Sequence, residues 1–282
     1  MIVGSSFNAT GYPDGRWNVD PSVTITEDSS VLFFGTPSEE IKLGSATMPA
    51  GGTSTAQAPA SAGVSNRGLG NAGMVFQAGK VYEGYLFARL PAALGDDEAA
   101  VSLTVSLEDY LSKKSLATQT LSISSGGDAA GSNGFIRYNF TLTPSASTSC
   151  IDITPGSDPA VSCGNGKPRS TIGHTCVKCG GEFKLSLTTA GSAVLLNYVF
   201  LQPGQWGRLA GLPVLQSAAD LLKTMGVKAI RQGGSFASSP SDGKAHSSDI
   251  DYYQWEKWTG DAWTRPSRSN GVWKQCLLSG WG

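Results

Sequence analysis

The chain has 282 residues, enough for one large or two ordinary domains, and 40% of them are hydrophobic, so real cores can form. Its 36 glycines point to a turn-rich β protein rather than a helical bundle. A formal net charge of −1 with no basic stripe excludes the usual electrostatic footprint of a nucleic-acid partner, and no apolar run is long enough to span a membrane as a helix.

The amino-terminal MIVGSSFNATGYPDG has neither the charged nor the apolar region of a signal peptide. From Ser22 to about Leu187, short alternating or apolar runs are separated by Gly, Ser and Pro clusters. The candidate strands are Val23–Thr26, Val31–Phe34, Gly73–Phe76, Val81–Arg89, Val101–Leu107, Leu116–Ile123, Phe135–Leu142 and Phe183–Leu187. Strands of this kind and number fit a jelly-roll β-sandwich. Within them Tyr82, Tyr85 and Phe87 recur at near-alternating positions, which core packing explains in part. Pro49 to Gly63 is rich in Ala, Gly, Ser and Thr and reads as a flexible loop.

Residues from about 150 to 181 form a different kind of insertion. Cys150, Cys163, Cys176 and Cys179 fall inside it, with His174 among them, while Cys276 is left over. Cys176-x-x-Cys179 has the knuckle spacing of a zinc site, whereas disulfides suit an exported protein. The sequons Asn8-Ala-Thr10 and Asn139-Phe-Thr141 fit export, so disulfides are the preferred of the two readings.

Further on, Asn197 to Gln202 reads as a short buried strand closed by Pro203-Gly204. Leu215, Ala218, Ala219, Leu222 and Met225 recur at helical spacing, with Gly226 where a left-handed cap ends a helix, and Val227 to Ile230 reads as a second strand. Strand, helix and strand in that order predict a βαβ crossover and a parallel sheet or barrel. Loops at the carboxyl ends of such strands carry the chemistry, which singles out Arg231 and the glycines Gly233 and Gly234 behind it. The arginine offers a planar donor fork, and the glycines permit close backbone approach. In the loop beyond, Trp255, Trp258, Trp263 and Trp273 are candidates for a wall against sugar C–H faces; Trp255 is the preferred ligand residue, Trp263 and Trp273 loop core.

Two stretches carry a family resemblance. WGRLAGLPVLQSAADLLKTMGVKAIRQGGSF and YYQWEKWTGDAWTRPSRSNGVWKQCLLSGWG resemble the start of the catalytic barrel of glycoside hydrolase family 51, the α-L-arabinofuranosidases. Residues 63 to 89 resemble the carbohydrate-binding-module-like sandwich of the same family through Asn66, Gly70, Met74 and the run from Gly79 to Arg89. Where the family has Arg-x-Pro-Gly-Gly, this chain has Arg231-Gln232-Gly233-Gly234, one residue shorter.

The resemblance implies a carbohydrate-binding-module-like sandwich over residues 1–190, including the Cys-rich insertion, followed by the first βα units of a (β/α)8 barrel over 191–282. It implies a retaining glycosidase that releases terminal arabinofuranosyl residues from arabinose-containing polysaccharide or oligosaccharide, with no cofactor. Arg231, Gly233, Gly234 and Trp255 are the implied substrate-binding residues. The two carboxylates that retention requires lie in the family on later barrel strands, so no catalytic residue is assigned within this chain and the chain alone is expected to be inactive. Both ends read as cut from a longer protein, and the intact protein is expected outside the cell or in the secretory pathway. The alternative is a non-catalytic carbohydrate-binding protein.

Overall fold

Alternating burial along successive strands builds two antiparallel sheets around one core. The computed structural model describes residues 17–33, 36–43, 62–68, 73–91, 100–124, 133–153, 176–189, 191–212, 214–229, 261 and 263. The strands are β1 (Asn18–Val19), β2 (Val23–Phe33), β3 (Thr36–Leu43), β4 (Ala62–Asn66), β5 (Tyr82–Arg89), β6 (Val101–Asp109), β7 (Lys114–Ile123), β8 (Ile136–Leu142), β9 (Cys150–Ile153), β10 (Cys176–Cys179), β11 (Gly181–Leu187) and β12 (Ala193–Pro203). The first sheet runs β1-β4-β11-β6-β7 and the second β2-β3-β12-β5-β8, while β9 and β10 form a separate two-stranded ladder. The first and second sheets face each other across Val64, Val105, Leu107, Phe183 and Leu185 on one side and Leu86, Phe140, Leu196, Val199 and Leu201 on the other. Phe140 stacks on Phe183 across this interior at 5.6 Å. Each such side chain, fully removed from water, stabilises the fold by roughly 1.5–3 kcal/mol.

The mainly antiparallel β-sandwich expected over the first two thirds is therefore present, with differences in detail. Val23–Thr26 and Val31–Phe34 were expected as two strands, but Val23–Phe33 is one continuous strand, β2, and Phe34 lies outside the described residues. Gly73–Phe76 is not a strand; Met74 makes an isolated bridge to Gly181. The end of the Pro49–Gly63 segment belongs to β4, whose five residues are all buried between β1 and β11. The Cys-rich insertion contributes the ladder of β9 and β10, in which Cys150 lies opposite Cys179.

A larger correction concerns residues 191–203. Asn197–Gln202 was expected to open a parallel barrel, yet it lies within β12, which pairs antiparallel with both β3 and β5. The boundary expected at 190/191 thus falls inside the sandwich, and the chain divides near Trp206 and Gly207 instead. The physical reason is that β12 is a central strand, buried on both faces from Ala193 to Val199. A strand buried on both faces shows a continuous apolar run, the same signature that a parallel barrel strand shows.

Residues 207–229 form a second unit, described by itself. Short 3-10 turns at Gln205–Gly207 and Leu209–Gly211 precede helix α1 (Gln216–Thr224). Gly226 ends the helix as expected: at φ 73° it turns left-handed, its amide meets the Lys223 carbonyl, and the Val227 amide meets the Leu222 carbonyl. Val227 to Ala229 carries no strand, and Ile230 lies outside the described residues. Among the described residues no parallel pair forms, so the expected βαβ unit is reduced to its helix. No helix among them is long and apolar enough to cross a membrane.

Candidate functional site

The outward face of the second sheet carries an aromatic group that alternation along β5 puts there. Tyr82, Gly84, Leu86 and Ala88 point into the core, so Glu83, Tyr85, Phe87 and Arg89 point away from it. Tyr82 is accordingly a core residue. Its hydroxyl accepts from the Gln77 amide at 3.0 Å; burial pushes its phenol pKa up and the Gln77 hydrogen bond draws it back. Gly84 has no room for a side chain, since a Cβ there would collide with the Phe140 ring and the Phe200 carbonyl.

Tyr85 is half-buried at the centre of the outward group. Across the ladder it faces Asn139 of β8 on one side and Phe200 of β12 on the other. Its ring lies 6.0 Å from Tyr198 with planes only 8° apart, 5.3 Å from Phe200 and 6.1 Å from Phe87. Phe87 in turn meets Phe33 at 4.6 Å, and Phe33 meets Phe135 at 5.3 Å. The guanidinium of Arg137 sits 4.1 Å above the Tyr85 ring while its Nε donates to Asn139 Oδ1 at 3.0 Å.

A local distortion creates the stacked pair. The register of β12 on β5 slips between Asn197 and Phe200, and inside that bulge Tyr198 takes φ 43°, a left-handed conformation uncommon for a bulky residue. The bulge re-aims Tyr198 onto Tyr85. Strain of this kind persists only where surrounding packing holds it, and it concentrates at functional sites. Tyr198 and Phe87 are buried, at 7% and 6% exposure, and back the half-buried Tyr85 and Phe200. These two form the accessible aromatic floor, with Arg137, Asn139 and Thr141 exposed along β8 at the edge of the sheet. Such a floor packs against the C–H faces of a sugar, and the arginine and asparagine beside it can hydrogen-bond hydroxyls.

A second polar cluster stands at the end of β6. The Asp109 carboxylate accepts from the amides of Leu111 at 3.0 Å, Ser112 at 3.1 Å and Ser149 at 2.7 Å, and from the Ser149 hydroxyl. Burial pushes its pKa up, but the Ser149 hydroxyl and amide and the Ser112 hydrogen bonds outweigh burial and hold it at about 2. Gly180 lies against this carboxylate with no space for a Cβ. Next to both, a disulfide joins Cys150 to Cys179. That bond withdraws these two sulfurs from a four-thiolate zinc set. Cys163 lies outside the described residues, as does the side chain of Cys176. Among the described residues no group of His, Cys, Asp or Glu is placed to hold a metal ion.

Of the residues singled out as substrate-binding, Arg231, Gly233, Gly234 and Trp255 all lie outside the described residues. Trp263 is described and is half-buried. Tyr198, Phe200 and Arg137 were not anticipated. Arg137 sits two residues from the sequon asparagine in an alternating strand, but nothing local announces that a bulge in a distant segment completes the floor.

No protein-family model matches the chain, and no curated protein matches it significantly by sequence. Among solved structures it resembles the arabinose-bound GH51 α-L-arabinofuranosidase MgGH51, with 18% identity and a TM-score of 0.61 over 96% of this chain and 36% of that one. The CBM22-1 xylan-binding domain of Paenibacillus barcinonensis Xyn10C aligns at 12% identity and a TM-score of 0.38, over 70% of this chain and 90% of its own. A putative sugar binding protein from Bacteroides thetaiotaomicron VPI-5482 aligns at 11% identity and a TM-score of 0.38, over 72% and 99%. The chain thus spans 36% of the length of the arabinofuranosidase it matches, and at this identity what the two share is a fold.

Proposed function

We propose that the chain is the carbohydrate-recognising part of an α-L-arabinofuranosidase-like retaining glycoside hydrolase, and that it holds arabinose-containing polysaccharide on the outward face of its second sheet without turning it over. The observation that carries this reading is the half-buried Tyr85, backed by the buried, left-handed Tyr198 and flanked by Phe200, with exposed Arg137 over its ring. An aromatic floor with a guanidinium at its lip suits a neutral saccharide, whose ring offers apolar patches and whose hydroxyls accept from planar donors. The fold shared with an arabinofuranosidase supports the wider assignment. Arg231, Gly233, Gly234 and Trp255 remain proposed sugar contacts of the intact enzyme, on the strength of the family resemblance.

The second reading, a binding protein with no catalytic role in any form, is favoured by the same aromatic face, because that face is complete within the sandwich. Two assays on the full chain separate the readings. Affinity electrophoresis in arabinoxylan or arabinan should show retardation that Tyr85→Ala abolishes, and an aryl α-L-arabinofuranoside should not be hydrolysed. Extending the polypeptide with the downstream coding sequence should then bring hydrolysis with retention. Binding without any gain of hydrolysis on extension would select the second reading, and absence of binding would refute both.

A further inference from the structure

The first sheet ends in a charged group that the aromatic face does not use. Arg67 follows β4, Tyr110 follows β6, and Lys178 is carried by β10. The Arg67 guanidinium lies 3.9 Å above the Tyr110 ring, and the Lys178 ammonium lies 5.7 Å from the same ring. Three separate elements therefore bring two cations to one aromatic side chain. Arg67 is fixed a second time by an ion pair from Nε to Glu182 Oε2 at 2.9 Å, where the glutamate side chain is 9% exposed.

That ion pair uses only one edge of the guanidinium. Among the described residues nothing accepts from its Nη atoms, and the side chain is 26% exposed, so a planar pair of donors is held in a fixed orientation at the surface. The surroundings carry both signs. Exposed Lys113, in the turn after Tyr110, and exposed Lys114, which opens β7, add two cations at this end of the sheet. Of the nearby carboxylates among the described residues, only Glu182 is paired with a cation, Arg67. Glu108, which accepts from the Ser106 hydroxyl at 2.9 Å, and Asp109, which accepts from amide and hydroxyl donors, keep their negative charge, and Lys113, Lys114 and Lys178 stand against these two. The Cys150–Cys179 disulfide adjoins Lys178 and anchors the ladder that presents it.

We propose that this end of the first sheet binds the carboxylate of an acidic sugar substituent, such as a uronic acid side group on a polysaccharide. A carboxylate matches the two-donor edge of a guanidinium, and a cation beside it adds attraction that a hydroxyl pair does not receive. The proposal rests on the carbohydrate reading above and assigns a separate site, on the other sheet, for a different part of the ligand.

The test is calorimetric titration of the full, oxidised chain with an arabinofuranosyl-bearing xylo-oligosaccharide that also carries a glucuronic acid side group, and with the same arabinosylated oligosaccharide unsubstituted by the acid. The substituted one should bind about ten-fold more tightly, with the advantage shrinking in about 0.5 M NaCl. Arg67→Lys, which keeps the charge and loses the fork, should remove most of that preference and leave the affinity for the unsubstituted oligosaccharide unchanged. Lys178→Ala should reduce the preference as well, and serves as the independent variant if Arg67→Lys lowers the melting temperature. Equal affinity for the two oligosaccharides, or a preference untouched by either variant, overturns the site while leaving the carbohydrate reading in place. Failure of both oligosaccharides to bind overturns the two together.

Discussion

Replacing Asp109 with asparagine isolates the electrostatic part of the knot that joins the β6–β7 turn to Ser149. The carboxylate of the folded chain has a pKa of about 2 against an ordinary 3.8, and at 1.36 kcal/mol per pK unit this amounts to roughly 2–3 kcal/mol of stability. The folded-state pKa is depressed, so the unfolded chain binds the proton more tightly. The stabilisation is therefore complete above about pH 5, declines as the pH falls through the unfolded pKa, and is gone below about pH 2. Asparagine does not titrate in this range, and it also turns an NH2 group toward the amides of Leu111, Ser112 and Ser149 or presents them with a single carbonyl. Urea unfolding followed by tryptophan fluorescence, at about pH 7 and in steps down to about pH 2.5, gives the stability of both proteins. The gap between them should be about 2–3 kcal/mol at neutral pH and should narrow steadily on acidification. Carboxylates elsewhere titrate in both proteins and cancel in the difference. A gap that stays constant across the pH range would refute the argument, because it would mean that the hydrogen-bond geometry matters and the charge does not.

Tyr85→Ala should weaken binding to arabinoxylan by about ten-fold while changing the melting temperature little beyond the loss of one half-buried ring, as read by affinity electrophoresis and calorimetry. Loss of the Cys150–Cys179 bond, by the paired Cys150→Ala and Cys179→Ala replacement, should cost about 3–4 kcal/mol in a denaturant titration, the chain-entropy value for cysteines separated by 29 residues. Gly180→Ala should destabilise by roughly 2 kcal/mol or more, because its methyl group lands on the Asp109 carboxylate, and the penalty should be smaller when Asp109 is alanine as well. Asn139 and Thr141 are both exposed on β8 beside Arg137, so material glycosylated at Asn139 should bind polysaccharide more weakly than the same material after enzymatic removal of the glycan, with mass spectrometry verifying occupancy.

Most of the sandwich was determined by local pattern. Strands such as β5, β6, β7 and β8 alternate buried and exposed positions, and one buried face per strand is a period that a linear sequence displays. Helix α1 and its glycine cap were equally legible, since both the spacing of the apolar residues and the left-handed turn at Gly226 are properties of a short segment. The parts that were not legible depend on partners far away in the chain. β12 lies between β3 and β5 and is buried on both faces, so its composition is the same whether it joins an antiparallel sandwich or a parallel barrel, and only the pairing decides between them. β4 is made of small residues and is a strand because β1 and β11 cover it on either side. The candidate site has the same origin: sequence spacing grouped Tyr82 with Tyr85 and Phe87, but the fold sent Tyr82 to the core, and a bulge more than a hundred residues away brought Tyr198 onto Tyr85. Arg67, Tyr110 and Lys178 likewise come from three strand ends that converge only when the first sheet and the β9–β10 ladder have formed. Residue types and periods specify which face of a strand is buried; which strands become neighbours, and so which side chains meet, is settled by long-range pairing that no local window contains.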